Sequence, residues 1–204
     1  MRGVFIGRFQ PPHWGHVKAI QHILGEVDEL IIVVGSAQFN YSEKDPFTAG
    51  ERILMLREAM KEVNIDLGRL IMIPLNNTEN NHSWVKYLES YIPPFDVAYT
   101  GNQFVAMLLR GAGYRVVQQP LFSREIYVST LIREKILKGD ETWRNLVPAS
   151  VAKILDELDA SNRLRVIASG EAEPQKVVMW KNRRFILPLK LKIYNMQGPW
   201  GIEC

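Results

Sequence analysis

A chain of 204 residues with 47% hydrophobic and 23% charged residues has an ordinary globular balance, long enough for one domain with an appendage. No run of about 18 apolar residues offers a membrane span, and the opening MRGVFIG lacks the apolar length and cleavage pattern of a secretory leader. Its single cysteine, Cys204, excludes an intrachain disulfide, so a cytoplasmic enzyme or binding protein is expected.

The net charge of +3 is localised. Residues 170–204 hold six Lys/Arg against three Glu, and the remaining 19 basic and 19 acidic residues balance over 1–169. A neutral body removes most of the force from the nucleic-acid reading that a pI near 9.0 invites. Neither a nucleic-acid nor a membrane partner is expected.

Apolar runs alternate with helical patterns. GVFIG (Gly3–Gly7) reads as a strand. In Gly15–Val27 the apolar residues Val17, Ile20, Ile23, Leu24 and Val27 make a helical stripe. ELIIVVG (Glu29–Gly35) is continuously apolar, as in a strand buried on both faces. Thr48–Val63 reads as a helix with Thr48 and Glu51 at capping-box spacing. Arg69–Leu75 is a third strand, and Ser83–Ile92 a helix stopped by Pro93 and Pro94. Asp96–Gly101 is a fourth strand, Asn102–Gly113 a helix ending at glycine, and Tyr114–Pro120 a fifth strand. The chain from there to about Ser169 reads as helical.

Five strands alternating with helices predict an α/β fold: a Rossmann-like, doubly wound, five-stranded parallel sheet with helices on both faces and a helical C-terminal part. The expected division is a domain over 1–169 and a basic tail over 170–204. The tail admits three readings (a β-hairpin, a partner-binding arm or a foreign addition) and is assigned no role. Trp180 and Trp200 within it read as packing residues.

In such sheets ligands bind at the carboxyl ends of the strands. The segments converging there are Arg8–His16, Gly35–Asp45, Asn76–Trp84, Thr100–Asn102 and Phe122–Arg133. The first carries His13 and His16, three apart and on one side of a helical first turn. Unpaired N–H groups and the positive dipole end of that turn, joined by two imidazoles, make a phosphate cradle. Gly15 lets a ligand approach, Pro11 and Pro12 stiffen the turn, and Arg8 adds a permanent charge. No third ligand accompanies the histidines, which argues against zinc. A Gly-rich dinucleotide fingerprint and a Walker A loop are both absent. Ser129 and Thr130 read as N-caps of a helix that carries Arg133 one turn in. Trp84, in NNHSW, is suited to stack on a flat ring, with Asn81 beside it. From NNHSW alone, a helix cap with a buried Trp84 is the favoured reading.

Together HWGH (His13–His16), GRFQPPHWGH, GSAQ (Gly35–Gln38), DPFTAGER (Asp45–Arg52), NNHSW, TGN (Thr100–Asn102) and STLIR (Ser129–Arg133) resemble the archaeal type of nicotinamide mononucleotide (NMN) adenylyltransferase family, within the His-x-Gly-His nucleotidyltransferase superfamily. The resemblance covers roughly 1–169 and leaves out the tail. It implies transfer of AMP from ATP to NMN, giving NAD and pyrophosphate, with His13, His16 and Arg133 as the catalytic set. Gly7, Arg8, Phe9, Lys44, Gly101, Asn102, Ser129 and Thr130 would join them around ATP, and Ser36, Asn81 and Trp84 would hold NMN. Lys44 stands where related sequences often carry arginine; it keeps the charge but not the bidentate fork. Mg²⁺, or another divalent ion, would arrive with ATP rather than occupy a protein metal site. A homo-oligomer, a hexamer by family habit, is also implied. Two alternatives stand beside this reading: a related adenylyl- or cytidylyltransferase using another phosphate acceptor, and a non-catalytic nucleotide sensor on the same fold.

Overall fold

The computed structural model describes residues 1–118, 126–170, 177–180 and 183–186, and two compact units divide the chain at Ala168/Ser169. The first unit alternates β1 (Arg2–Gly7), α1 (Trp14–Leu24), β2 (Glu29–Val34), α2 (Ala49–Glu62), β3 (Leu70–Pro74), α3 (Trp84–Tyr91), β4 (Val97–Tyr99), α4 (Gln103–Gly111) and β5 (Arg115–Val117). It ends in α5 (Ser129–Lys138), a 3₁₀ segment Glu141–Leu146, α6 (Ala149–Glu157) and α7 (Ala160–Ala168). In the second unit, β6 (Val177–Trp180) pairs antiparallel with β7 (Arg183–Ile186). Trp200, the basic residues Lys176, Lys181, Lys190 and Lys192, and Cys204 lie outside the described residues.

The five strands of the first unit are parallel, in the order β3-β2-β1-β4-β5. The doubly wound α/β sheet expected from the alternation is therefore present. Side-chain alternation divides the core in two. Phe5, Leu30, Ile32 and Val34 pack with α1, α2 and the C-terminal helices, while Val4, Ile31 and Val33 face α3 and α4. β2 is buried on both faces, as its unbroken apolar run requires. Among the described residues, no helix is long and apolar enough to cross a membrane.

Local chemistry sets the boundaries. Thr48 and Glu51 form the capping box that starts α2. Asn102 starts α4 by accepting the N–H groups of Phe104 and Val105 (2.9 and 3.3 Å). One expectation is corrected: Ser129 and Thr130 do not cap α5. The N-cap is Val128, which has no side-chain acceptor. Ser129 is the first helical residue, and its hydroxyl donates instead to Pro11 O at 3.1 Å. The fifth strand pairs only over Arg115–Val117, with Gln119 and Pro120 outside the described residues.

Candidate active site

In this strand order, β1 lies between β2 and β4, and the chain winds away from it in both directions. The crevice that this reversal opens at the carboxyl edge is the favoured ligand position in open α/β sheets. A cavity of about 320 Å³ occupies it. Gly7 and Arg8 line it from the end of β1, Gly35 and Ser36 from β2, Asn76, Asn77 and Trp84 from the segment after β3, and Thr100 and Asn102 from β4. Ser36 and Asn77 are paired, the amide donating to the hydroxyl oxygen at 3.1 Å.

The histidine pair stands next to this cavity. Phe9, at φ 53°, folds its ring back over Gly7, where a Cβ would lie 2.7 Å from the ring. The far side of Phe9 meets His16 edge-on, with ring centroids 4.8 Å apart. His16 stacks on His13 at 3.6 Å. His13 is the extended N-cap of α1 and His16 the third helical residue, so the i, i+3 spacing brings the rings together.

Burial fixes the protonation of both histidines. It pushes His13 down to about 4. Burial and the neighbouring His13 hold His16 well below its ordinary value. Both are neutral near pH 7. His16 Nδ1 accepts the backbone N–H of His13 at 3.3 Å, which assigns the single ring proton to Nε2. His13 Nδ1 is buried without a hydrogen-bond partner. No acidic residue occupies the first turn of α1 or of α5, which leaves both positive helix ends without a carboxylate of their own turn.

Gly15 serves packing more than ligand approach, which corrects the role expected for it. A Cβ there would lie 3.0 Å from Tyr127 Cβ and 3.1 Å from the His13 ring. A side chain there would have to push these neighbours back by a few tenths of an ångström.

The loop after β1 is held from outside at three of its carbonyls. Arg52 donates to Arg8 O at 2.8 Å, Arg133 to Gln10 O at 2.7 Å, and Ser129 to Pro11 O at 3.1 Å. The Gln10 amide exchanges two hydrogen bonds with the backbone of Phe47, at 2.9 and 3.0 Å. Arg133 therefore has a structural engagement that its sequence position did not suggest. Arg8 is more than half exposed and lies 3.8 Å from the buried carboxylate of Asp45. Burial lowers the Arg133 pKa, and the charge of Arg8 lowers it further. The charge of Asp45, the ion-pair partner of Arg8, opposes that shift.

The structure thus groups Gly7, Arg8, Phe9, His13, His16, Ser129, Thr130 and Arg133 around the β1 loop and the starts of α1 and α5. Ser36, Trp84 and Asn102 border the cavity, Asn102 with its carbonyl oxygen already engaged as a cap. Lys44 and Asn81 are exposed and, with Gly101, lie outside the lining. Arg52, Asp45 and Asn77 were not singled out from the sequence. Arg52 did leave a trace there: it occupies the apolar stripe of α2, with Met55, Leu56, Ala59 and Met60, where a charge is out of place. Among the described residues, no three His, Cys, Asp or Glu side chains are grouped to hold a metal ion.

A parallel sheet with a paired-histidine helix start beside its switch point defines a nucleotidyltransferase-type phosphate site. Residues 4–135 match the Cytidylyltransferase-like family, and the chain belongs to that family. Within it, the chain is similar to the nicotinamide-nucleotide adenylyltransferase of Caldivirga maquilingensis, 65% identical over 86% of this chain and 99% of that protein. It is likewise similar to the enzyme of the same name from Pyrococcus furiosus, 44% identical over 86% of this chain and 93% of that one. A bifunctional NMN adenylyltransferase/ADP ribose pyrophosphatase from Francisella tularensis, complexed with AMP and a manganese ion, has the same fold (TM-score 0.67, 20% identity). The likeness covers 83% of this chain and 52% of that one, so this chain spans about half its length.

Proposed function

We propose that the chain transfers AMP from ATP to NMN in the cytoplasm, releasing pyrophosphate and forming NAD. The observation that carries the reading is the 65% identity to a nicotinamide-nucleotide adenylyltransferase along almost all of that enzyme. The site's chemistry agrees with it. A phosphate oxygen of NMN attacks the α-phosphorus of ATP, a new P–O bond forms, and the bond to the β-phosphate oxygen breaks. NMN already carries an anionic nucleophile, so no general base is required. Alignment and stabilisation of the spreading negative charge do the work.

His16 supplies a neutral Nε2–H donor to the reacting phosphate, and His13 stacks against it and aims it. Arg8 and Arg133, with the starts of α1 and α5, receive the polyphosphate. Gly7, Phe9, Ser129 and Thr130 form the wall beside it, and Gly101 and Asn102 take the adenosine end. Trp84, Ser36 and Asn81 take NMN, the indole against the nicotinamide ring. Mg²⁺, or another divalent ion carried in on ATP, neutralises part of the polyphosphate charge. The working assembly is a homo-oligomer, a hexamer, which light scattering coupled to gel filtration reads directly.

Purified protein is incubated with ATP, Mg²⁺ and, separately, NMN, nicotinic acid mononucleotide, FMN, phosphopantetheine and glycerol phosphate. Dinucleotide and pyrophosphate formed with NMN are the expected result. Turnover confined to a non-pyridine acceptor, or ATP binding without turnover, overturns it.

A further inference from the structure

Arg52 is 0% exposed, yet no carboxylate among the described residues hydrogen-bonds to it. Its guanidinium donates to four backbone carbonyls instead. Nη1 reaches Arg8 O and Gly35 O, both at 2.8 Å. Nη2 reaches Ser36 O at 3.2 Å, and Nε reaches Thr48 O at 3.2 Å. Burial lowers its pKa, and the nearby negative charge of Asp45 opposes that shift. A buried cation that spends its donors on carbonyls costs stability compared with an apolar residue in the same place. Its benefit is sought in what the carbonyls belong to.

Arg8 ends the β1 segment that leads to the histidine pair. Gly35 and Ser36 follow β2 and wall the cavity beside Trp84. In the functional reading above, on which this inference rests, the first loop holds ATP and the second borders NMN. A single nitrogen, Nη1, bridges the two.

We infer that Arg52 is a positioning residue that cross-braces the ATP loop to the NMN loop, setting the alignment of nucleophile and α-phosphorus without touching either substrate. Backbone carbonyls are the right attachment points, because they move with the loops rather than with any one side chain. The planar fork matters too: an ammonium group carries three donors on one atom and cannot span four carbonyls belonging to three separate segments. A misalignment on the order of 1 Å costs about 10²-fold in rate while leaving each substrate's own contacts intact.

The test uses the full-length chain and Arg52→Lys, with Arg52→Gln beside it. Wild-type turnover of NMN is measured first; its absence sinks the functional reading and not the brace. With an active wild type, kcat of Arg52→Lys is expected to fall about 10²-fold, while the Kd for ATP, by calorimetry without NMN, stays within about threefold. The fraction of competent sites, counted by ATP binding stoichiometry, stays near that of the wild type. Near-normal kcat in Arg52→Lys, a matching loss of ATP affinity, or a lower kcat fully explained by fewer competent sites overturns the inference.

A second measurement needs no variant to fold. In ¹⁵N-arginine-labelled wild type, the Arg52 side-chain signals should exchange slowly and hardly shift on addition of ATP, whereas those of Arg8 shift. An Arg52 shift as large as that of Arg8 makes it a phosphate ligand and overturns the brace.

Discussion

The two halves of the crevice are built differently. On the β1 side, Arg8, Gln10 and Pro11 have their carbonyls held by Arg52, Arg133 and Ser129, and the rings of Phe9, His16 and His13 form one packed column. On the other side, Lys44 and the Asn80–Ser83 turn are exposed, and the side-chain hydrogen bonds of that turn are local, Asn80 meeting Thr78, His82 and Ser83. The difference fits the demands of the reaction. Charge develops at the α-phosphate, and stabilising it needs donors that do not reorganise during the transfer. The acceptor only has to be recognised and oriented, a task that a partly open surface with one indole performs.

The largest effect should come from the packed half. His16→Ala is expected to lower kcat about 10²–10³-fold, the usual loss for one transition-state donor. Thermal denaturation should shift by only a few degrees, because the ring's neighbours Phe9 and His13 are themselves anchored. Steady-state kinetics with both substrates saturating decide it. A kcat within a few-fold of the wild type removes His16 from the reacting phosphate.

Trp84→Ala probes the open half. Stacking of a flat base on an aromatic ring is worth about 1–3 kcal/mol, so KM for NMN should rise roughly tenfold. KM for ATP should stay within about twofold. Trp84 lines the cavity at the start of α3 and is only partly buried, so the fold should tolerate the change. Equal rises for the two substrates would mean that the halves are not separate.

The packed half also has a pH signature. His13 titrates near 6.5 in an unfolded chain and near 4 in the folded one, because burial disfavours its charged form. Between those values the unfolded chain binds the extra proton. His13 therefore contributes stability that is present above pH 6.5 and is lost as pH falls toward 4. The loss is about 3 kcal/mol at most, from a shift of this size. Urea melts from pH 7 to pH 4.5 should show the decline, and His13→Gln should lessen it, leaving the part that the buried His16 contributes in the same direction. Turnover should be nearly level from pH 6.5 to 8, since neither histidine changes charge there.

Much of the packed half was legible in the sequence, for a physical reason. Strand, turn and HWGH are contiguous, so the histidine pair follows from local spacing, and the βα alternation leaves few topologies open. What escaped depends on contacts across the chain. Arg52 meets Arg8 from 44 residues away, and Arg133 meets Gln10 from 123. No local pattern announces such pairs, although an arginine in the apolar stripe of α2 was a visible anomaly. The caps of α5 were misread because Ser129 has a better partner in Pro11 O, which only the folded chain supplies. Gly15 was read as room for a ligand because Tyr127, 112 positions on, is invisible at that distance along the chain.

The smallest effect sharpens the comparison most. Lys44 sits on the exposed segment between β2 and α2, outside the cavity lining. In the proposed reading, an ammonium there would act on a bound polyphosphate through water. At such separations a charge pair is worth about 1 kcal/mol or less, and salt screens it. Lys44→Ala should therefore raise KM for ATP about threefold in low salt, and the difference should vanish at 0.5 M KCl, beyond the screening range. Lys44→Arg should do no better than the wild type, because a bidentate fork gains nothing without a direct contact. A tenfold, salt-resistant loss in Lys44→Ala would instead mean that the segment folds down onto ATP and that Lys44 touches it. The open half would then hold part of the donor machinery, and its exposure would describe only the state before substrate arrives.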